Sequence, residues 1–214
     1  ENAFIGISGI IGAGKTTLAT ELGKVLGLPV YYEGVIDMTN AYMASFYKDM
    51  ARYSFPLQIY LLNKRFRQHQ QIIWQGKGGV QDRTIYEDSI FAKMLCDSGL
   101  MDQRDYETYC ELFSNMANFM RKPNLIVHLD VSPEESLERI KSRNREMETT
   151  ITLEYLTNLK NAYDSFLHDI SRVIPVIKVD WSSFQDPEKV AEMIKAEWHK
   201  MQNIHSIDFK GPQI

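Results

Sequence analysis

One stretch of eight residues constrains this chain more than any other. It reads Gly9, Ile10, Ile11, Gly12, Ala13, Gly14, Lys15 and Thr16, with Thr17 behind it. These residues fit the pattern G-x-x-x-x-G-K-[ST] without a mismatch. The apolar run over residues 3–7 predicts a buried strand before the loop, and residues 18–26 predict a helix after it. This order is typical of a loop that wraps phosphate groups; a glycine-rich turn in an unrelated α/β domain is the alternative.

The chemistry of such a loop depends on its backbone. Glycines let N–H groups approach phosphate oxygens, and the N-terminus of the following helix adds partial positive charge. Lys15 would reach the terminal phosphates, and the Thr16 hydroxyl would ligate Mg²⁺. We therefore predict that the chain binds a nucleoside triphosphate, namely ATP. The loop residues expected to hold it are Gly9, Gly12, Ala13, Gly14, Lys15, Thr16 and Thr17.

Composition limits the domain count and the partners. The chain has 214 residues, of which 44% are hydrophobic, and no Gly/Ser/Pro-rich linker divides it. We expect one domain over residues 1–202 and a flexible tail over 203–214. The net charge is −4 and no lysine or arginine block stands out, which favours a small ligand over nucleic acid.

Cysteine usage and hydropathy indicate the compartment. Cys96 and Cys110 form no metal-spaced set, so we expect reduced thiols. No apolar run approaches the ~20 residues of a membrane span, and no signal peptide precedes the first strand. These features predict a cytoplasmic protein without a membrane partner, and an organelle stays open if a transit peptide preceded Glu1.

Predicted strands alternate with predicted helices along the whole chain. Strands over 29–32, 80–82, 125–129 and 175–179 join the first one in a doubly wound, five-stranded parallel sheet flanked by helices. The helices are predicted over 36–48, 57–75, 85–98, 103–120, 152–170 and 187–201, with another beginning at Pro133. Glu33 and the pair Asp82-Arg83 follow two of the strands. Open α/β sheets bind ligands at that carboxyl edge, which predicts that these side chains lie near the phosphate loop.

A known family shares this constellation. The phosphate loop, Glu33, Gln58, Arg65, the triplet Asp82-Arg83-Thr84 and an arginine-rich segment resemble the deoxynucleoside kinases over roughly residues 4–180. Residues 82–88, followed by Ile90 and Phe91, look more like the bacterial-type deoxyadenosine and deoxyguanosine kinases than like thymidine-preferring members. The resemblance implies a P-loop kinase fold with an arginine-rich lid. It also implies Mg²⁺- and ATP-dependent phosphorylation of a deoxyribonucleoside 5′-hydroxyl, with deoxyadenosine favoured and deoxycytidine, deoxyguanosine or a broad range as alternatives.

The resemblance assigns the chemistry to a few side chains. It makes Glu33 the general base that takes the proton of the 5′-hydroxyl. Arg83, with Lys15, would stabilise the developing charge, although Arg83 could instead pair with Glu87 or Asp88. Asp82 would hold Mg²⁺ together with Thr16. The lid would consist of Arg139, Arg143 and Arg145, although Glu135, four residues before Arg139, also allows simple surface pairing.

The same resemblance assigns the acceptor side. Tyr47 and Glu148 would hold the sugar 3′-hydroxyl, unless Tyr47 is core and Glu148 is a solvated loop residue. The residues implied at the base are Gln58, Arg65, Asp88 and Phe91. The spacing to Phe91 leaves Glu87 as a rival to Asp88, and Phe91 could equally be core. Gly34 and Ala41 replace two prolines of the family, so the segment after Glu33 is less restricted in its backbone.

The sequence leaves two alternative functions and one possible protein partner to consider. A nucleoside monophosphate kinase would need cations at the acceptor, where Glu33 would repel a phosphate. A non-catalytic subunit of the same fold would not need the full set of Lys15, Thr16, Glu33 and Arg83. By resemblance, helices 57–75 and 103–120 could form the bundle of a homodimer; their periodicity alone predicts that they are buried.

Overall fold

The computed structural model describes residues 2–33, 41–143, 150–183 and 185–203. Five strands form one parallel sheet in the order β2-β3-β1-β4-β5. Their bounds are Phe4–Ser8 (β1), Val30–Tyr31 (β2), Gly79–Asp82 (β3), Leu125–Asp130 (β4) and Val176–Asp180 (β5). The predicted doubly wound parallel sheet is therefore confirmed. Its order places β1, which leads into the phosphate loop, between β3 and β4.

Eight helices lie within the described ranges. Their bounds are Lys15–Leu26 (α1), Met43–Lys48 (α2), Met50–Gln75 (α3), Ile85–Asp97 (α4), Gln103–Ala117 (α5), Pro133–Arg143 (α6), Leu153–Ile170 (α7) and Pro187–Asn203 (α8). Helix α1 begins at Lys15 rather than near residue 18, because Gly14 takes a left-handed conformation at its N-cap. Among these described helices, none combines the length and apolar character needed to cross a membrane.

Alternating side chains of β1 face two different helix layers. Ile5 and Ile7 pack in one cluster with Leu22 of α1 and Ile194 of α8. Phe4 points the other way, where its ring meets His69 of α3 at a centroid distance of 5.0 Å. This period of two, with helices on both faces, explains why every residue of β1 is buried.

Helix α3 corrects the predicted start at residue 57. It begins at Met50, because the Asp49 carboxylate caps it by accepting from the Arg52 N–H at 3.2 Å. Pro56 lies inside the helix, and since proline has no N–H, the Arg52 carbonyl loses its usual intrahelical donor. A proline at this position indicates a boundary in sequence analysis, but the packing of α3 on α4 and α5 outweighs its cost.

Helix α5 and the chain ends also differ from expectation. The predicted helix 103–120 ends at Ala117, and Tyr109 is its one fully buried side chain, so the expectation that the whole helix is buried is wrong. Helix α8 extends to Asn203, one residue into the predicted tail. Residues 204–214 lie outside the described residues, as do residues 36–40 of the predicted helix 36–48.

Candidate active site

Two glycines give the phosphate loop its shape. Gly12 has φ +78° and Gly14 has φ +94°, a region that other residues rarely adopt. A Cβ on Gly12 would lie 3.1 Å from the Ser136 carbonyl oxygen, and one on Gly14 would lie 3.0 Å from Nε1 of Trp181. The predicted order of strand, loop and helix is confirmed. Close packing from α6 and from the residue after β5 keeps the loop wrapped around the N-terminus of α1.

Lys15 begins α1 with its ammonium group turned back into the loop. Nζ donates to the Ile10 carbonyl at 3.2 Å, and the residue is only 6% exposed. Burial lowers the pKa of Lys15, and Arg83 lowers it further, whereas nearby carboxylates, Glu33 first among them, oppose the shift. A phosphate in the loop would replace the opposing charge that a buried ammonium requires.

Thr16 and Asp82 meet because β3 runs beside β1. Asp82 pairs with Ile7 in the sheet register, which places it at the carboxyl edge next to the loop. The Thr16 hydroxyl donates to Asp82 Oδ2 at 2.7 Å, and burial, followed by the charge of Glu33, raises the Asp82 pKa. Asp82 Oδ1 is buried and has no hydrogen-bond partner in the part of the chain that the structure describes. An unshared carboxylate oxygen beside a hydroxyl fits Mg²⁺, which takes few protein ligands when phosphates supply the others.

Arg83 follows Asp82 with an unusual backbone. Its φ is +65°, the one positive value found for a described residue other than glycine, and its N–H donates to the Ile7 carbonyl at 3.0 Å. The guanidinium carbon lies 4.6 Å from the centre of the Phe91 ring, a cation–π contact. Such a conformation costs free energy and is concentrated at functional sites. With this backbone, the Arg83 side chain lies against the Glu33 carboxylate.

Glu33 is held by two arginines two residues beyond β2. Its Oε1 accepts from Arg65 Nη2 at 3.0 Å, and Arg83 Nε lies 2.9 Å from the same oxygen. That second N–H is not aligned with the oxygen, so this contact is an ion pair without a hydrogen bond. Burial alone would raise the pKa of Glu33, but Arg83, Arg65 and Lys15 together lower it to about 2. Glu33 is therefore not a solvated loop residue, and Arg83 pairs with it rather than with Glu87 or Asp88.

Arg65 joins Glu33 to the acid of α4. Its Nε donates to Asp88 Oδ2 at 3.2 Å, and both side chains are fully buried. Glu87 instead accepts hydrogen bonds from the Gly9 N–H and the Tyr163 hydroxyl, so Arg65 pairs with Asp88 and not with Glu87. Neither member of the pair is among the described residues that line the cavity in front of Glu33. They form the layer behind its wall.

A cavity of about 460 Å³ connects the loop with Glu33. The loop wall contributes Gly12, Gly14, Lys15, Thr16 and Thr17. The opposite wall contributes five predicted site residues, Glu33, Tyr47, Gln58, Arg83 and Phe91, among apolar side chains of α2, α3 and α4. This volume and mixed lining are those of a small-molecule site.

Gln58 is the amide in this wall. Its Oε1 is buried without a hydrogen-bond partner among the residues described. An amide offers one acceptor and one donor type and can be turned to match either pattern. The side chain is thus suited to the edge of a planar polar ligand.

The predicted lid is described in part. Arg139 bridges two elements, because Nη1 donates to the Ala13 carbonyl at 3.1 Å and Nη2 to the Trp181 carbonyl at 2.8 Å. Its Nε also pairs with Glu135 at 2.9 Å, so the surface-pairing alternative holds at the same time. Arg143 lines the cavity. Arg145 and Glu148 lie outside the described residues.

Two aromatic residues at the site were missed in the sequence. Trp181 packs its indole on Gly14, and Tyr155 of α7 lines the cavity, where burial raises its pKa to about 12. Trp181 directly follows the carboxyl end of β5, so the rule that identified Glu33 and Asp82 could have found it. Tyr155 had no such signal, because its helix follows the segment 144–149 and its position depends on tertiary packing.

Comparison with known proteins agrees with this geometry. The family model described as "Deoxynucleoside kinase" matches residues 5–203. The chain is 66% identical to a deoxyadenosine kinase of Dictyostelium discoideum, over 97% of this chain and 84% of that protein. It is 36% identical to a deoxyadenosine/deoxycytidine kinase of Bacillus subtilis, over 91% of each. The solved structure of deoxyadenosine kinase from M. mycoides with bound dCTP superposes with a TM-score of 0.79 at 32% identity, covering 92% of this chain and 98% of that one.

The family match spans the loop, the strand ends that carry Glu33 and Arg83, and every described strand but the first residue of β1. The relatives match nearly the whole chain, and their names and the structural likeness agree on one activity class, phosphoryl transfer to a deoxynucleoside. The chain therefore belongs to the deoxynucleoside kinase family.

Proposed function

We propose that the chain phosphorylates the 5′-hydroxyl of deoxyadenosine, with ATP as donor and Mg²⁺ as the metal. The observation that carries this proposal is the shared cavity: Glu33 lines one wall and the loop residues Gly12, Gly14 and Lys15 line the other. A nucleoside bound along the Glu33 wall would direct its hydroxyl toward a γ-phosphate held by the loop. The alternative considered above is a nucleoside monophosphate kinase. Its acceptor is an anion, which the Glu33 carboxylate would repel.

We assign the proton transfer to Glu33 and the charge stabilisation to Arg83 and Lys15. The lowered pKa keeps Glu33 ionised at neutral pH, so it can accept a hydrogen bond from the attacking hydroxyl. Phosphoryl transfer depends mainly on positioning and electrostatics, and a weak base in the right place suffices. Arg83 lies within ion-pair distance of that carboxylate, so its guanidinium would be close to the attacking hydroxyl and to the phosphoryl oxygens on which negative charge develops.

We assign the donor side to the loop, the metal pair and the lid. Thr16 and Asp82 would hold Mg²⁺, which neutralises phosphate charge when bound. Arg139 and Arg143 would contact phosphate oxygens from α6, and we assign the same role to Arg145, which lies outside the described residues. The contact of Arg139 with the Ala13 carbonyl supports this, since it holds the guanidinium against the loop.

We assign the nucleoside to Tyr47, Gln58 and Phe91, with Glu148 as the expected partner of Tyr47 at the sugar. Arg65 and Asp88, which lie behind the cavity wall, would determine which bases fit the site. Deoxyadenosine is the proposed acceptor, because it appears in the names of both reported relatives. The B. subtilis relative is named for deoxycytidine as well, which makes deoxycytidine the second acceptor to test.

A substrate panel tests these assignments. Purified protein is assayed for ADP formation with deoxyadenosine, deoxycytidine, deoxyguanosine, thymidine and, as a monophosphate acceptor, dAMP. We expect deoxyadenosine to give the highest kcat/KM and dAMP to give none. Glu33→Gln should lower kcat by roughly 100-fold or more, whereas the exposed Glu111→Gln should leave it unchanged. Near-normal kcat in Glu33→Gln would refute the assignment of the base.

We also propose a cytoplasmic homodimer in which residues 1–202 act as one kinase domain. Exposed apolar side chains on the helices expected to form the dimer support this: Trp74 of α3 is 76% exposed, and Leu112 of α5 is 39% exposed. Light scattering on the eluting protein should give the mass of two chains. Trp74→Glu combined with Leu112→Glu should give the mass of one, and a single-chain mass for the unaltered protein would refute the dimer.

A further inference from the structure

A buried polar cluster lies behind the phosphate loop, outside the cavity. It consists of Glu87 on α4, Tyr163 on α7, His128 on β4 and Ser8 at the end of β1. None of the four side chains is more than 1% exposed. In the sequence, Glu87 is only a rival for the acid beside the base, and the structure gives that place to Asp88. The cluster thus contains a fully buried carboxylate that the proposed mechanism does not use.

Glu87 joins three separate segments through one carboxylate. Oε2 accepts from the Thr84 N–H at 2.8 Å and from its hydroxyl at 3.3 Å, which caps α4. Oε1 accepts from the Tyr163 hydroxyl at 2.9 Å and, in a longer hydrogen bond of 3.3 Å, from the Gly9 N–H. One side chain therefore contacts the first residue of the phosphate loop, the residue after Arg83, and α7.

Helix α7 is also connected, through His128 of β4, to the residue before the loop. The Tyr163 ring packs against the His128 ring at 5.8 Å with an angle of 34° between the planes. His128 Nδ1 in turn hydrogen-bonds to the Ser8 hydroxyl at 3.1 Å. Ser8 and Gly9 are consecutive, so α7 fixes the junction between β1 and the loop from two sides. Tyr163 takes part in both connections.

The environment of Glu87 is costly for an acid that serves only as a helix cap. Burial raises the pKa of Glu87, although Arg83 and Lys15 oppose that shift. A solvated acid would cap α4 without the desolvation cost, and capping needs only the Thr84 contacts. The additional contact with Gly9 connects the loop to the turn that holds Arg83 in its left-handed conformation. The two groups that must flank the transferred phosphate are thus joined by one rigid link.

We propose that Glu87 is a positioning residue for phosphoryl transfer, and that the Tyr163 hydroxyl holds its carboxylate in place. Glu87 sets the distance between the phosphate loop and Arg83 by bonding Gly9 and Thr84 at once. This role rests on the proposed function, since it matters only if the loop binds ATP and Arg83 acts on the transferred group. Loss of the Tyr163 hydroxyl should therefore weaken nucleotide binding and turnover more than nucleoside binding.

A matched pair of tyrosine variants tests the proposal. Tyr163→Phe removes the hydroxyl that donates to Glu87. Tyr109→Phe removes an equally buried hydroxyl that hydrogen-bonds to no residue within the described ranges. Calorimetric Kd for ATP, the KM of each substrate, kcat and Tm are measured for both. The direct Kd separates this test from the proposed function, because ATP binding does not depend on the identity of the acceptor.

We expect Tyr163→Phe to raise the Kd of ATP by about ten- to a hundredfold, the factor for one hydrogen bond to a charged group. kcat should fall, whereas the KM of deoxyadenosine should stay within about twofold. Amide exchange of the peptide that contains Gly9 should also become faster. Tyr109→Phe should show none of these changes. An unchanged Kd in Tyr163→Phe, or the same change in both variants, would overturn the proposal.

Glu87→Gln provides a second, stronger test. A carboxamide has one acceptor oxygen, so its NH₂ group must face a donor, either Gly9 or Thr84. We expect a larger increase in the Kd of ATP than in Tyr163→Phe, and no further change when the two substitutions are combined. Additive effects of the two would mean that they act separately and would refute the link. If Glu87→Gln does not fold, the tyrosine pair still decides the matter.

Discussion

Arg65 contacts Glu33 through a 3.0 Å hydrogen bond from Nη2 to Oε1. The side chain expected to influence base choice is thus bonded to the side chain expected to take the proton. The same guanidinium pairs with Asp88 behind the cavity wall, at 3.2 Å. A substitution at Asp88 will therefore affect Glu33 through Arg65.

This connection predicts strong coupling between Arg65 and Asp88. Arg65→Met leaves a buried carboxylate without its partner, which should lower the free energy of unfolding by about 3–5 kcal/mol. The double variant Arg65→Met/Asp88→Met removes both charges and should recover much of that loss. Urea denaturation of the four proteins measures the coupling in a double-mutant cycle.

The exposed pair Lys93 and Asp97 is the control for this cycle. Their contact is shorter, at 2.7 Å, but both side chains are more than half exposed. We expect a coupling of only about 0.3–0.5 kcal/mol there. By the family resemblance, Arg65 and Asp88 match the charged pair of members that accept purines or cytosine, where thymidine-preferring members carry apolar residues. The Arg65/Asp88 double variant should therefore gain activity on thymidine relative to deoxyadenosine. Similar coupling in both cycles, or an unchanged substrate ranking, would argue against these roles.

The charge of Glu33 predicts a specific pH dependence of stability. Its pKa is about 2 in the folded protein, against a usual 4.5. Because the folded pKa is lowered, the ionised form stabilises the fold above about pH 4.5, and this contribution is lost as the pH falls toward 2. Glu33→Gln lacks it at every pH. The difference in unfolding free energy between the unaltered protein and Glu33→Gln should therefore shrink from pH 6 to pH 3.

Asp82, Glu87 and Asp88 act with the opposite sign. Burial raises their pKa values, so protonation at low pH favours the folded state. They are present in both proteins, so the effect of burial cancels in the difference, and only the smaller rise that the charge of Glu33 adds to the pKa of Asp82 and Asp88 does not. Urea midpoints across the pH range supply the data, and two curves that stay parallel down to pH 3 would contradict the lowered pKa of Glu33.

The sequence predicted the parts of this site that depend on local pattern. The phosphate loop follows from its glycine spacing, and the place of Glu33 and Asp82 follows from the rule that parallel strands end at one edge. Tertiary packing determines the rest. From sequence alone, Pro56 indicates a helix boundary. The helix continues through it because α3 packs on α4 and α5, which the sequence does not show. Glu87 forms the T-x-x-E capping pattern with Thr84, but its contact with Gly9 spans 78 positions and leaves no local signal.

A pair of glycine variants should separate loop geometry from backbone strain. Gly14→Ala places a Cβ 3.0 Å from Nε1 of Trp181 at φ +94°. Gly27→Ala, at the end of α1, has φ +65° and nothing within 4 Å of the added Cβ. Both should lose about 1 kcal/mol of stability from the unfavourable backbone. Only Gly14→Ala should also weaken ATP binding, by at least about tenfold.

Calorimetry with ATP and urea denaturation distinguish the two effects. Tryptophan fluorescence offers a further readout for Gly14→Ala, since the added methyl would displace the indole of Trp181. An equal loss of ATP affinity in Gly27→Ala would show that general destabilisation, and not the shape of the loop, is responsible.

The backbone of Arg83 predicts an inverted order of stability between two variants. Glycine normally destabilises an ordered segment relative to alanine by about 0.5–1 kcal/mol. At φ +65° the order should reverse, with Arg83→Gly more stable than Arg83→Ala by about 1 kcal/mol. Both should lose at least about 100-fold in kcat, because both lack the guanidinium. Urea midpoints and single-turnover rates test the two statements, and alanine being the more stable would contradict the strained backbone.

That reversal has a consequence for engineering. Position 83 has an arginine in a backbone conformation that glycine adopts at a lower cost in free energy. Among variants that have lost the guanidinium, a library of this gene selected only for heat resistance would enrich glycine over alanine at that codon. The selected proteins would be thermally stable but inactive. A selection for thermal stability must therefore include a test of nucleoside phosphorylation in every round.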